Sequence, residues 1–287
     1  MSNSPPPLAR FKVIALDLDG TLLAHGSELS RDCVAWVGRA RARGLAPVIA
    51  TGRRFATTRP VMELLALDTP AVVQNGAVVV TRDGARLQSW YLDNEVHRAA
   101  IAMLKHFGLA PIAYLDAPGG PAEFFLEAGA RDPTGYLQVY TRASRGQFSV
   151  VQDLNQARLK AVTRVITVDD PDRLRDAQAV ITEQLGDRLR SFITHDPHYD
   201  VKRLELMHRS ASKLSGVELI AASLGASIDQ VIAFGDDVND IEMIEHSGFG
   251  VAVHNANQEV KAVADHVTAT AMGDGFIEAM RWILGES

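Results

Sequence analysis

Residues 12–21 read KVIALDLDGT. KVIAL is a short, mostly apolar run, as expected of a strand buried on both faces of a parallel sheet. It stops abruptly at Asp17-Leu18-Asp19-Gly20-Thr21, two carboxylates two positions apart followed by a glycine and a hydroxyl. A buried strand that ends in charge delivers that charge to one edge of its sheet. In open α/β sheets, the carboxyl edge is where ligands bind.

The same rhythm repeats outward from this stretch. Ser30 is placed to cap a helix reaching about Arg43, which Gly44 ends. PVIAT, at 47–51, is a second strand closed by Gly52. A helix follows over about 55–65, then a third strand over 71–74. Near the C-terminus, a helix over about 212–224 leads into VIAF at 231–234, which ends in Gly235-Asp236-Asp237. A helix over 240–246, a strand over 250–253, and helices over 258–264 and 275–284 complete the pattern. Short apolar strands alternating with helices predict an α/β class: a doubly wound, Rossmann-like parallel sheet with helices on both faces.

The middle of the chain reads differently. YLQVY at 136–140, RVITV at 164–168 and RSFIT at 190–194 are segments of mixed polarity. Helical stretches near 94–107 and 171–185 sit among them, and Pro118-Gly119-Gly120-Pro121 marks a loop. We expect a discontinuous core over 1–84 and 201–287, with an α+β cap inserted at 85–200.

Composition narrows the class. The chain has 287 residues, which suits one or two domains, and 47% are hydrophobic, ordinary for a globular protein. The net charge of -6 argues against nucleic acid or anionic membrane as partners. No apolar run approaches the ~18 residues of a membrane span. The single cysteine, Cys33, allows no internal disulfide and is expected to be buried. The opening MSNSPPPLARFK has no apolar signal region. Together these features predict a cytoplasmic protein. Oligomeric state is not legible.

The polar groups at the predicted strand ends are Asp17 and Asp19, Thr51-Gly52-Arg53, Asn75, and Gly235-Asp236-Asp237 with Asn239 and Asp240. Five carboxylates converging on one edge would repel one another, and a bound cation would relieve this. Oxygen ligands beside room for a phosphate favour Mg2+.

Asp17-Leu18-Asp19-Gly20-Thr21 resembles the signature of the haloacid dehalogenase superfamily. The other parts follow in order: Thr51 after an apolar strand, Lys213 after Ser212, and Gly235-Asp236-Asp237-Val238-Asn239-Asp240. Asn239-Asp240 and the strand beyond resemble the Cof-type (class IIB) phosphatases, whose cap is inserted between the second and third motifs. The resemblance covers both flanks of the chain and matches the cap only in position and length.

The resemblance implies a Mg2+-dependent phosphatase of small phosphorylated metabolites, sugar phosphates foremost. Asp17 would be nucleophile and metal ligand. Asp19 would protonate the leaving oxygen and then activate water, its backbone carbonyl touching the metal. Asp236 would complete the protein ligands, with Asp240 and Asn239 supporting them. Thr51, the Gly52 amide and Lys213 would bind the phosphate, Thr51 and Gly52 at a helix N-terminus. The roles cohere chemically, because a carboxylate attacks phosphorus only once the charges on both are neutralised.

Other residues stay open at this level. Asn75-Gly76 is either a tight turn or a substrate contact, and both readings can hold together. Arg53 either reaches substrate or is a surface charge. His195-Asp196-Pro197-His198 looks like a turn. His254 stands where the Cof-type pattern has glycine. The competing functions are a phosphotransferase or mutase, which the same motifs serve, and a catalytically dead phosphate-ligand sensor. The sensor predicts loss of Asp17, Asp19, Lys213 or Asp236, and all four are present.

Overall fold

The computed structural model describes residues 5–24, 29–117, 122–144, 146–196 and 199–286. The loop read at 118–121 lies outside the described residues, as do Pro197 and His198. The chain divides into two compact units, Met1–Gln88 with Ser212–Ser287, and Ser89–Ala211. No described helix is long and apolar enough to cross a membrane.

The first unit is built on a five-stranded parallel sheet. Its order is His266–Val267, Phe249–Ala252, Val231–Gly235, Val13–Leu16, Ala46–Ile49. Val13–Leu16 is wholly buried, as its unbroken apolar run requires. It lies between Val231–Gly235 and Ala46–Ile49, with Leu16 level with Phe234 on one side and Ile49 on the other. Three consecutive polar segments therefore leave the sheet at the same edge. Beyond Ala46–Ile49, a single parallel bridge joins Ala50 to Val72. From there, Ala71–Val73 pairs antiparallel with Val78–Val80 in a small sheet that Arg86–Ser89 completes. The third strand thus adjoins the parallel sheet and belongs to a small sheet of its own.

Local signals explain the helices. Ser30 accepts a hydrogen bond from the Cys33 N–H at 3.1 Å and starts the helix Arg31–Ala42. That helix buries Cys33, Trp36, Val37 and Ala40, spaced to form one apolar stripe. Ser212 and Ser215 form a reciprocal cap for Lys213–Ser223. That cap places Lys213 in the first turn.

The second unit is a six-stranded sheet, ordered Leu189–Asp196, Val201–His208, Val162–Val168, Ile112–Leu115, Phe124–Glu127, Phe148–Val151. Its pairings are antiparallel except the last. Alternate residues along the central strands serve two cores. Ala113, Val165 and Leu204 pack with helices Asn94–His106 and Pro171–Leu185. Tyr114, Phe124 and Ile166 pack with Tyr136 of the helix Tyr136–Ala143. The mixed-polarity run at 136–140 is therefore helical, with one aromatic edge buried. The strand Val201–His208, which the sequence pattern assigns to the flanking half, pairs along its whole length with Leu189–Asp196 in this sheet.

Candidate active site

Asp17 follows the central strand directly, and its N–H donates to the Phe234 carbonyl at 3.1 Å. Its side chain is buried. Lys213 reaches it from the start of its helix, with Nζ 2.6 Å from Asp17 Oδ1 and 2.7 Å from Asp240 Oδ1. Both Lys213 and Asp240 are buried. The second oxygen of Asp240 accepts the N–H groups of Asp236 at 3.2 Å and Asp237 at 3.3 Å. Asp240 therefore holds Lys213 with one oxygen and the loop carrying Asp236 with the other.

Asp236 Oδ1 accepts the Thr21 hydroxyl at 2.8 Å. Gly20, between Asp19 and Thr21, has a φ of +87°, and a Cβ there would lie 2.2 Å from Asp236 Oδ2. Only glycine allows this approach of loop to carboxylate. Among the described residues, Asp17 Oδ2 and Asp236 Oδ2 carry no hydrogen bond.

Ligand atoms of Asp17, Asp236 and Asp240 lie within 4.8 Å of one another. Three carboxylates against one ammonium leave a formal excess of two negative charges. Burial, only partly offset by Lys213 and reinforced by the charge of Asp240, pushes the Asp17 carboxyl up to about 7. Burial and the charges of Asp17 and Asp240 raise Asp236 as well. Burial also raises Asp240, against the pull of Lys213. Burial pushes Lys213 down, but the charges of Asp17 and Asp240 outweigh it and keep the ammonium protonated. The donor set, all oxygen with two unengaged carboxylate oxygens and a charge deficit of two, fits a divalent cation.

The remaining candidates fall into two groups. Arg53 grips Asp19 with Nε 2.7 Å from Oδ2 and Nη2 2.5 Å from Oδ1. It is neither a free surface charge nor aimed away from the site. Thr51 is buried, and its hydroxyl accepts the Arg53 N–H at 3.1 Å. The helix that follows spans Phe55–Leu64 with Arg54 at its cap, so Thr51 and Gly52 lie in the preceding turn, short of the helix N-terminus.

Asn75 is the turn residue that the sequence allowed, left-handed at φ 56°, and its side chain is buried. Its Oδ1 accepts from Asn239 Nδ2 at 2.8 Å, and a Cβ on Gly52 would meet the same atom at 2.8 Å. Asp237 instead caps its own turn through the Val238 N–H at 2.8 Å.

Three side chains have roles that sequence reasoning missed. Thr21 was visible in the motif as a hydroxyl with no assigned partner. Asn255 Nδ2 donates to the Gly20 carbonyl at 2.8 Å, while its Oδ1 accepts the Met272 N–H at 2.8 Å. Asn257 Nδ2 donates to Asp237 Oδ1 at 3.0 Å. The two asparagines follow His254, the position where the motif departs from pattern. His254 itself is exposed, and its backbone N–H is bonded to the Thr270 carbonyl at 3.1 Å. His195 pairs with Asp200 at 3.0 Å on the second unit.

A carboxylate cluster with a buried lysine, at the switch point of a doubly wound sheet, marks the haloacid dehalogenase type of hydrolase. The sequence pattern of the haloacid dehalogenase-like hydrolases matches residues 14–280, and the chain belongs to that family. It is 30% identical over 267 residues to the pyridoxal phosphate phosphatase YbhA of Escherichia coli, covering 89% of this chain and 92% of that one. It is 26% identical over 276 residues to a phosphoglycolate phosphatase of Methanothermobacter thermautotrophicus, covering 96% and 100%. A phosphatase of the haloalkanoate superfamily from Bacteroides thetaiotaomicron has the same fold, with a TM-score of 0.78, 24% identity and coverage of 99% of both chains. The Cof-type resemblance is borne out, and the protein is an enzyme of the phosphatase class.

Proposed function

We propose that the protein is a Mg2+-dependent phosphatase that hydrolyses small phosphate monoesters, sugar phosphates foremost, through an aspartyl phosphate on Asp17. The observation that carries this reading is the Lys213 ammonium 2.6 Å from Asp17 Oδ1 within a buried carboxylate cluster. Phosphate monoesters are very slow to hydrolyse unaided, so charge neutralisation, a nucleophile and an acid are all required.

Asp17, Asp236 and the Asp19 carbonyl would hold the cation, with Asp240 orienting the loop. When bound, the cation supplies charge neutralisation for the phosphoryl group and the nucleophile. An oxygen of Asp17 attacks phosphorus. Lys213, held between Asp17 and Asp240, offsets the negative charge that gathers there. Thr51, the Gly52 amide, Asn75 and Asn239 border the place where phosphate oxygens would lie. Asp19 gives a proton to the leaving oxygen and later takes one from water.

The second unit, inserted between Gln88 and Ser212, is assigned substrate selectivity. The relatives' named substrates, pyridoxal phosphate and phosphoglycolate, are both small monoesters, which supports the class without choosing a member. The lone, buried Cys33 supports a cytoplasmic location.

The test is phosphate release from a panel of sugar phosphates, pyridoxal phosphate and phosphoglycolate. We expect release with Mg2+, its reversible loss on chelation, and none from Asp17→Asn. Turnover by Asp17→Asn within tenfold of wild type, in clean protein, sinks the mechanism; tenfold here is an order-of-magnitude criterion of roughly 1.4 kcal/mol.

A further inference from the structure

Resting on that phosphatase reading, we infer that Arg53 is a positioning residue that aims the Asp19 carboxyl at the oxygen leaving phosphorus. The Asp19 side chain is 41% exposed, so packing does not hold it. It sits on a loop whose next residue, Gly20, has a φ of +87°. Among the described residues, the only hydrogen bonds to its carboxylate come from Arg53 Nε and Nη2, at 2.7 and 2.5 Å. A planar guanidinium that grips both oxygens fixes the plane and direction of the carboxyl, which a point charge cannot do. The grip uses one lone-pair direction on each oxygen and leaves another on each for a proton.

Arg53 is itself anchored. Its N–H donates to Thr51 Oγ1 at 3.1 Å, and its carbonyl accepts the Gln74 N–H at 2.8 Å. The direction of Asp19 is thus set from the neighbouring strand end, through the same Thr51 that borders the phosphate position.

The proton balance shows where this matters. In the first half-reaction, a bond forms between phosphorus and an Asp17 oxygen, and the bond to the leaving oxygen breaks. The proton of the Asp19 carboxylic acid passes to that oxygen and completes an alcohol. In the second, the Asp19 carboxylate takes a proton from water as the water oxygen bonds to phosphorus. The bond to Asp17 breaks, phosphate leaves, and Asp19 is protonated as at the start. Aim of the acid therefore limits the first half only when the leaving group needs a proton. p-Nitrophenolate departs without one, whereas phenolate is far more basic.

The experiment measures kcat/KM with Mg2+ for phenyl phosphate and p-nitrophenyl phosphate in wild type, Arg53→Ala, Arg53→Lys and Asp19→Asn. In Arg53→Ala, phenyl phosphate should lose roughly tenfold or more beyond the loss on p-nitrophenyl phosphate. Arg53→Lys should show the same bias, because an ammonium cannot grip both oxygens, and Asp19→Asn should show it too. The ratio is taken within one sample, so any misfolded fraction cancels. Equal losses on both substrates, or a wild-type ratio in Arg53→Lys, overturn the proposal. Asp17→Asn measured alongside keeps the two readings apart. Residual turnover there sinks the phospho-aspartate scheme whatever Arg53 does. An inactive Asp17→Asn with an unbiased Arg53→Ala sinks only the positioning role.

Discussion

Lys213 and Asp17 are 196 positions apart in the chain, and their side chains meet at 2.6 Å with both buried. The same ammonium lies 2.7 Å from Asp240, so one buried cation serves two carboxylates. Such a cluster stands or falls as a unit, because removing one partner leaves the others uncompensated in a poorly solvated place.

Lys213→Met tests this directly. It should abolish turnover and destabilise the metal-free protein by about 3–5 kcal/mol, the usual cost of breaking a buried pair from one side. Added Mg2+ should recover part of that loss by binding the same carboxylates. Urea unfolding with and without Mg2+ reads both effects. An unchanged midpoint in the variant would mean that the cluster is less desolvated than its geometry implies.

Gly20→Ala probes the closest approach in the site. Its Cβ would sit 2.2 Å from Asp236 Oδ2 on a backbone at φ +87°. Something must move, and the carboxylate beside it is a metal ligand in the proposed scheme. We expect a loss of about 1–3 kcal/mol in stability from the backbone strain alone. The Mg2+ concentration needed for half-maximal activity should also rise. A variant with wild-type Mg2+ dependence would separate the Gly20 loop from the metal site.

Glu278 offers a pH-dependent test away from the cluster. Its carboxylate accepts the N–H groups of Ala269 and Thr270, both at 2.8 Å, and the Thr270 hydroxyl. Burial pushes its carboxyl up, but the Thr270 hydroxyl and the two amides outweigh that and hold it below the ordinary 4.5. A carboxyl lowered in the folded state stabilises the fold above its unfolded pKa, and that stability is lost as pH falls through the folded value. Glu278→Gln should therefore cost about 1 kcal/mol at neutral pH, given partial exposure. The gap to wild type should close as pH drops below 4.5. Thermal melts across pH 3–7, a window of about four units around that value, check the sign.

Much of the catalytic unit was legible because its signals are local. KVIAL reads as a buried strand from apolarity alone, and Asp17, Thr51 and Asp236 stand out where apolar runs end in polar turns. The helix start at Ser30 follows from cap chemistry within four residues. The second unit was less legible. The helix Tyr136–Ala143 has an aromatic edge that a short window cannot tell from a strand. Val201–His208 mixes charged and apolar residues without strict alternation, and nothing within it says which sheet it joins.

What the sequence by itself determined was the identity and order of the chemical groups at the strand ends, because a strand's burial and its abrupt polar end are written in consecutive residues. Only the tertiary structure decided how those groups pair: Lys213 shared between Asp17 and Asp240, Arg53 gripping Asp19, Thr21 and Asn255 holding the loop against Asp236. Parallel strands far apart in sequence bring these side chains to one edge, and a hydrogen bond depends on ångström-scale distance and direction that no spacing along the chain encodes.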